Sequence, residues 1–164
     1  MSVDITTPIT PGIAADWVLE VAEYGDGTAP DTTDFKRVRG IQNYTPPSAT
    51  KNLEDDSDFD SGAWGSQVGT GLSHEASGTV KVPRASLAAD PGQAILREAG
   101  RNVAEDGFVY FRTYKRGGTQ GVQGIADASF TEGGGSRTDL TTAEFTLAGR
   151  GALAPYAVAA GAGA

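Results

Sequence analysis

Residues 141–151, "TTAEFTLAGRG", decide the fold class. Ala143, Phe145 and Leu147 fall on one side of this run, and Thr142, Glu144 and Thr146 on the other. A period of two marks a strand with one buried face and one wet face. Working outward, "GVQGIADASF" (121–130) precedes it across the glycine-rich turn 133–135, and "FVYFRTY" (108–114) is dense in aromatic and β-branched residues. "EASGTVKV" (75–82) alternates again, with Ala76, Gly78, Val80 and Val82 on one face. "DWVLEVAEYGDG" places Trp17, Leu19 and Val21 together before Gly25-Asp26-Gly27 ends the run, and "FKRVRGI" (35–41) reads as a further strand.

One segment predicts a helix. Asp90 caps it, Pro91 suits its first position, Gln93 completes an Asp-x-x-Gln capping box and Gly100 ends it. Ala94, Ile95, Leu96 and Ala99 would then pack on a sheet, with Arg97 and Glu98 in water. The expected fold is mainly β: an antiparallel β-sandwich or open barrel with one flanking α-helix at about 91–99. A single domain over 1–164 would carry an extended N-terminal arm (1–15), a long loop (44–65) and a flexible C-terminal tail (153–164). No internal repeat is visible.

The totals narrow the function. Leu, Ile, Val and Phe make up 31 of 164 residues, a thin core that often gains stability by oligomerising. The net charge of −8 argues against a protein that reads nucleic-acid sequence. Cysteine is absent, which removes disulfides and thiolate chemistry. The start "MSVDITTPIT" lacks the basic and apolar regions of a signal peptide, and no run of 18 apolar residues suggests a membrane span. A soluble chain made in a cytoplasm is expected.

Catalytic patterns are missing. His74, the one histidine, has Ser73 and Glu75 on opposite sides of a strand, so the three form no relay and a surface histidine is expected. Nucleophile, phosphate-loop and zinc-ligand motifs do not occur, so no enzyme and no cofactor are expected. "YKRGGTQG" (114–121) has an RGG look, but between two strands it reads as a hairpin connection. "NYT" at Asn43 is a glycosylation sequon by pattern alone.

The most unusual stretch is "NLEDDSDFDSGAWG" (52–65), where Glu54, Asp55, Asp56, Asp58 and Asp60 crowd together and Phe59 and Trp64 have little core to reach. Counted from Asp56, an EF-hand would need glycine where Ser61 stands and glutamate where Gln67 stands. A calcium site of another kind stays open. So many like charges repel and solvate well, so the loop is expected to move until a neighbour orders it.

The order of parts resembles the major tail tube proteins of long, non-contractile-tailed (siphovirus-type) bacteriophages, over about residues 12 to 152. The resemblance rests on the arm, the Trp-bearing strand, the basic "KRVRGI", the loop "NLEDDSDFDSGAW", the helix start "DPGQAIL" and the closing "AEFTLAGRG". It implies a structural virion protein whose hexameric rings stack into a hollow tube that conducts DNA during ejection. Assembly would occur in the bacterial host cytoplasm, with tail terminator, tape measure and tail-tip proteins as further partners. DNA would pass without sequence-specific binding, and no membrane is involved.

On this resemblance Glu54, Asp55, Asp56, Asp58, Phe59, Asp60 and Trp64 form an inter-ring contact loop. Arg37, Arg39, Lys115 and Arg116 are its basic counterparts, and Asp127 and Glu144 face the lumen. The alternatives are another tail or connector ring, such as a tail terminator, and a calcium-stabilised β-sandwich binding module.

Overall fold

A computed structural model describes residues 10–160. The chain runs through β1 (Trp17–Glu23), β2 (Lys36–Arg37), β3 (Ile41–Thr45), β4 (Thr50–Asp55), β5 (Gln67–Ser73), β6 (Glu75–Lys81), α1 (Pro91–Ala99), β7 (Phe108–Lys115), β8 (Gln120–Glu132) and β9 (Thr142–Ala157). Seven strands form one antiparallel sheet in the order β2-β1-β7-β8-β9-β6-β3, while β4 and β5 form a separate hairpin. The expected class therefore stands, as a curled half-barrel with a single α-helix among the described residues.

The curl brings the two ends of the sheet together. Tyr44 on edge strand β3 meets Trp17 on β1 with ring centroids 6.0 Å apart. Its hydroxyl donates to Thr113 Oγ1 on β7 at 2.9 Å, and Thr113 in turn donates to the Val18 carbonyl at 2.9 Å. Inside the curl lie Leu19, Val21, Val80, Val109, Phe111, Phe145 and Leu147, all essentially inaccessible to water. Leu19, Val21, Val80, Phe145 and Leu147 lie on the side that the alternation predicts, whereas β7 is buried on both faces over most of its length.

Helix α1 seals the curl with Leu96 and Ala99. Gly92 allows it to sit against β2, because a Cβ there would meet the Arg37 carbonyl oxygen at 2.5 Å. Asp90 accepts from the Gln93 N–H at 3.2 Å, as the capping motif predicts. The Gln93 side chain departs from the motif: it donates to the carbonyls of Arg39 (2.7 Å) and Lys81 (2.9 Å), tying two chain segments beneath the helix. Ala94 is exposed, and Arg97 leaves the water to pair with Glu132 at 2.8 Å over the Phe130 ring.

Several boundaries differ from expectation. The strand read at 35–41 breaks after Arg37, because Gly40 adopts φ +79°, and resumes as β3. The loop read at 44–65 holds β4, which pairs with β5; only the residues between Asp55 and Gln67 form a connection. Both strands escaped the sequence reading because neither has a buried face, and alternation appears only where one face is buried. The tail read from 153 onward is β-strand as far as Ala157, and Pro155 is tolerated because this part of β9 is a sheet edge. Of the arm read at 1–15, residues 1–9 lie outside the described residues, as do 161–164 of the tail; Ala14–Asp16 form a 3₁₀ turn.

Burial pushes the Tyr44 hydroxyl up to about 12, although its bond to Thr113 works in the opposite direction. Tyrosine in the unfolded chain titrates near 10. The contribution of Tyr44 to stability is therefore complete below about pH 10 and lost as pH rises toward 12. Tyr44→Phe is expected to cost about 1 kcal/mol at neutral pH, the worth of one hydrogen bond. It should also flatten the alkaline fall in stability, and urea titrations at pH 7, 10 and 11.5 measure both effects.

Candidate functional site

The β4–β5 hairpin is the feature that the fold itself does not explain. It leaves β3 at Thr45, returns at Ser73 and has every residue of both strands exposed. Leu53, Val68 and Leu72 are among them. A two-stranded hairpin is marginal in water without a third layer to cover it. This one carries apolar side chains with nothing over them among the described residues, and the sequence reading missed that its stem is β.

At the tip the acidic residues do structural work. Asp55 accepts from the Ser57 N–H at 2.8 Å, and Asp58 Oδ1 accepts from the Asp60 N–H and the Ser61 hydroxyl, both at 3.0 Å. Ser57 and Ser66 bridge the two sides, the Ser66 N–H donating to Ser57 Oγ at 2.8 Å. Hydrogen bonds from the Ser57 side chain and backbone hold Asp55 below the ordinary carboxylate range. These local turns turn Phe59 and Trp64 outward, Phe59 completely and Trp64 with 85% of its surface in water. Among the described residues no three His, Asp or Glu side chains converge as metal ligands would.

The proposed counterparts divide between two places. Lys115 and Arg116 lie at the β7–β8 turn, where the Lys115 ammonium sits 5.3 Å from the Trp17 ring and the Arg116 N–H donates to the Asp16 carbonyl at 2.7 Å. Arg37 lies in β2, opposite Glu20. Arg39 lies at the start of α1, its N–H donating to Asp90 at 3.2 Å. The structure thus gathers no single basic patch from these four residues.

Asp127 and Glu144 do share a surface. Asp127 stands opposite Ala148 and Glu144 opposite Thr131, so both point away from the core, and both are exposed. Across β6 and β9 the same face presents Glu75, Ser77, Thr79, Thr142 and Thr146. Hydroxyls and carboxylates dominate this surface, with Lys81 at one end and Arg150, opposite Ile125 and 4.4 Å from the Phe108 ring, on the same side.

Two further features escaped the sequence. His74, expected at the surface, is 8% exposed: it sits where the hairpin joins β6, 5.9 Å from the Phe111 ring, with Gly149 beneath its imidazole. Neither ring nitrogen has a partner. Strand β9 runs past β6, whose ladder covers it only to Ala148, so residues 150–157 have no strand partner on that edge of the sheet among the described residues. Period-two patterning reports faces and carries no signal for edges.

No family model and no curated protein matches the sequence. Solved structures do match. A chain of the native gene transfer agent virion superposes with TM-score 0.66 at 18% identity, covering 91% of this chain and 100% of that one. A chain of the tail of an empty gene transfer agent particle, refined with C6 symmetry, gives 0.64 at 19%, covering 88% and 98%. A chain of the six-fold symmetrised anti-feeding prophage baseplate gives 0.61 at 9%, covering 91% and 97%. At these identities the likeness is one of fold, and over nearly the full length of each chain the fold is that of components of phage-like tail particles.

Proposed function

We propose that this protein is a structural subunit of a phage tail tube, forming hexameric rings that stack into a channel for DNA. The observation that carries this reading is the uncovered β4–β5 hairpin, on a fold shared with subunits of six-fold symmetric tail particles. A hairpin that leaves Leu53, Val68 and Leu72 in water is explained if a neighbouring subunit covers them. The open edge at residues 150–157 fits the same account, since pairing with an adjacent subunit removes an edge that would otherwise aggregate. The choice of a non-contractile tail rests on the sequence resemblance, because an extracellular contractile injection system also holds a chain of this fold, at TM-score 0.53.

In this reading the face with Glu75, Asp127 and Glu144 lines the lumen. Cationic contacts would hold DNA by releasing counterions at each phosphate. A lining in which hydroxyls and carboxylates outnumber Lys81 and Arg150 repels the phosphates on balance and leaves the strand free to slide. Phe59 and Trp64 anchor the contact between rings, since desolvated aromatic groups at interfaces contribute roughly 2 kcal/mol or more each. The role is structural and not catalytic, and tail terminator, tape measure and tail-tip proteins are the partners it implies.

Electron microscopy of the concentrated protein is expected to show tubes, and a reconstruction should place Asp127 and Glu144 on the inner wall. Rings that never stack would point to a terminator-like part, and monomers would remove the proposal. Replacing both Phe59 and Trp64 by alanine should leave the circular dichroism of the subunit unchanged while abolishing tubes. Normal tubes from that variant would end the anchor role.

A further inference from the structure

We infer that the hairpin tip of one copy docks into a basic, apolar-walled groove at the opposite end of the next copy, between the loop after β6 and the loop before β9. This names the contact partner within the tail-tube reading and rests on it. The groove is open and holds about 840 Å³. Leu87 and Leu140 line it with 64% and 75% of their surface exposed, an uncovered apolar floor.

The charges in the groove are unevenly engaged. Of its carboxylates, Glu132 is paired with Arg97, Asp90 caps α1, and Asp139 accepts from the Ser136 N–H at 2.7 Å. Lys81, Arg84 and Arg101 line the same groove and have no ion-pair partner among the described residues. Arg39 borders it through a shallower recess that shares Lys81 and Asp90. Cations without partners around exposed leucines complement a knob that carries carboxylates around Phe59 and Trp64.

Position supports the pairing. The hairpin joins β6 at Glu75, opposite Ala148, whereas the groove begins where β6 ends at Lys81, opposite Thr142, and Val82 bonds Thr141 at 3.0 Å. Knob and socket are thus separated by the length of β6, about 20 Å at the usual rise per residue. A subunit with complementary features at opposite ends makes a head-to-tail contact, and such a contact propagates instead of closing as a dimer. Lys115 and Arg116 lie toward the hairpin's own end of the sheet, since β7 ends where β8 begins, so a head-to-tail contact does not bring the tip of the next copy to them.

The absence of cysteine makes the test clean. Ala63→Cys marks the tip, Ala85→Cys and Ala89→Cys mark the groove, and Thr119→Cys marks the β7–β8 turn; all four are exposed positions. Each single variant is mixed with the tip variant under assembly conditions, treated with a short bis-maleimide, checked by circular dichroism and imaged. Tip-to-groove dimers are expected in the Ala85 and Ala89 mixtures and not in the Thr119 mixture, and a chain carrying both Ala63→Cys and Ala85→Cys should give a ladder. Tubes in which the tip links to Thr119, or to neither groove position, would overturn the docking inference and leave the tube reading standing. Tip-to-groove links without tubes would support the docking and overturn the tube reading, and neither links nor tubes would overturn both.

Discussion

The hydrogen-bond relay from Tyr44 to Thr113 to the Val18 carbonyl holds the sheet in its curl, and most of the molecule depends on that curl. Flat, this sheet would expose its apolar side to water with one nine-residue helix to cover it. Closed, it makes a core from 18 buried hydrophobic residues among those described, six of them alanines. Four strands separate Tyr44 from Trp17 in sheet order, and where the curl brings the two ends together one tyrosine finds both a ring to pack on and a hydroxyl to meet. Since β3 leads directly into the hairpin, the same residue fixes the base of the protruding arm.

The arm places stability outside the subunit. Its backbone pairs within the hairpin, its acidic tip satisfies its own turns, and its apolar side chains remain in water. Each of these is affordable for a hairpin that is covered after assembly. The thin core has the same consequence: a chain with few large apolar residues gains by adding burial between copies. Net charge of −8 opposes that association at long range, but screening within about 8 Å at physiological salt leaves close contacts to decide.

Strands that bury one face were legible in the sequence, and so was the helix with its Asp90 cap. Ala143, Phe145 and Leu147 announced their side of β9, and register against β8 then put Asp127 and Glu144 on a common face. The hairpin stem was not legible, because Thr50–Asp55 and Gln67–Ser73 have no inside to alternate with. The acidic tip drew attention by composition, yet composition did not reveal that Ser57, Ser61 and Ser66 organise it. The groove was invisible for another reason: Lys81, Arg84, Arg101 and Leu140 come from separate segments, and only the fold makes them neighbours.

The central claim is that the β4–β5 hairpin is completed by a neighbouring copy. Amide hydrogen exchange, followed by mass spectrometry on dilute subunits and on the assembled protein, tests it most directly. The hairpin amides from Thr50 to Ser73 are expected to exchange rapidly in the free subunit and to become strongly protected on assembly, while the β8–β9 ladder stays protected in both. A hairpin equally protected in dilute subunits, or equally unprotected in the assembly, would contradict the account.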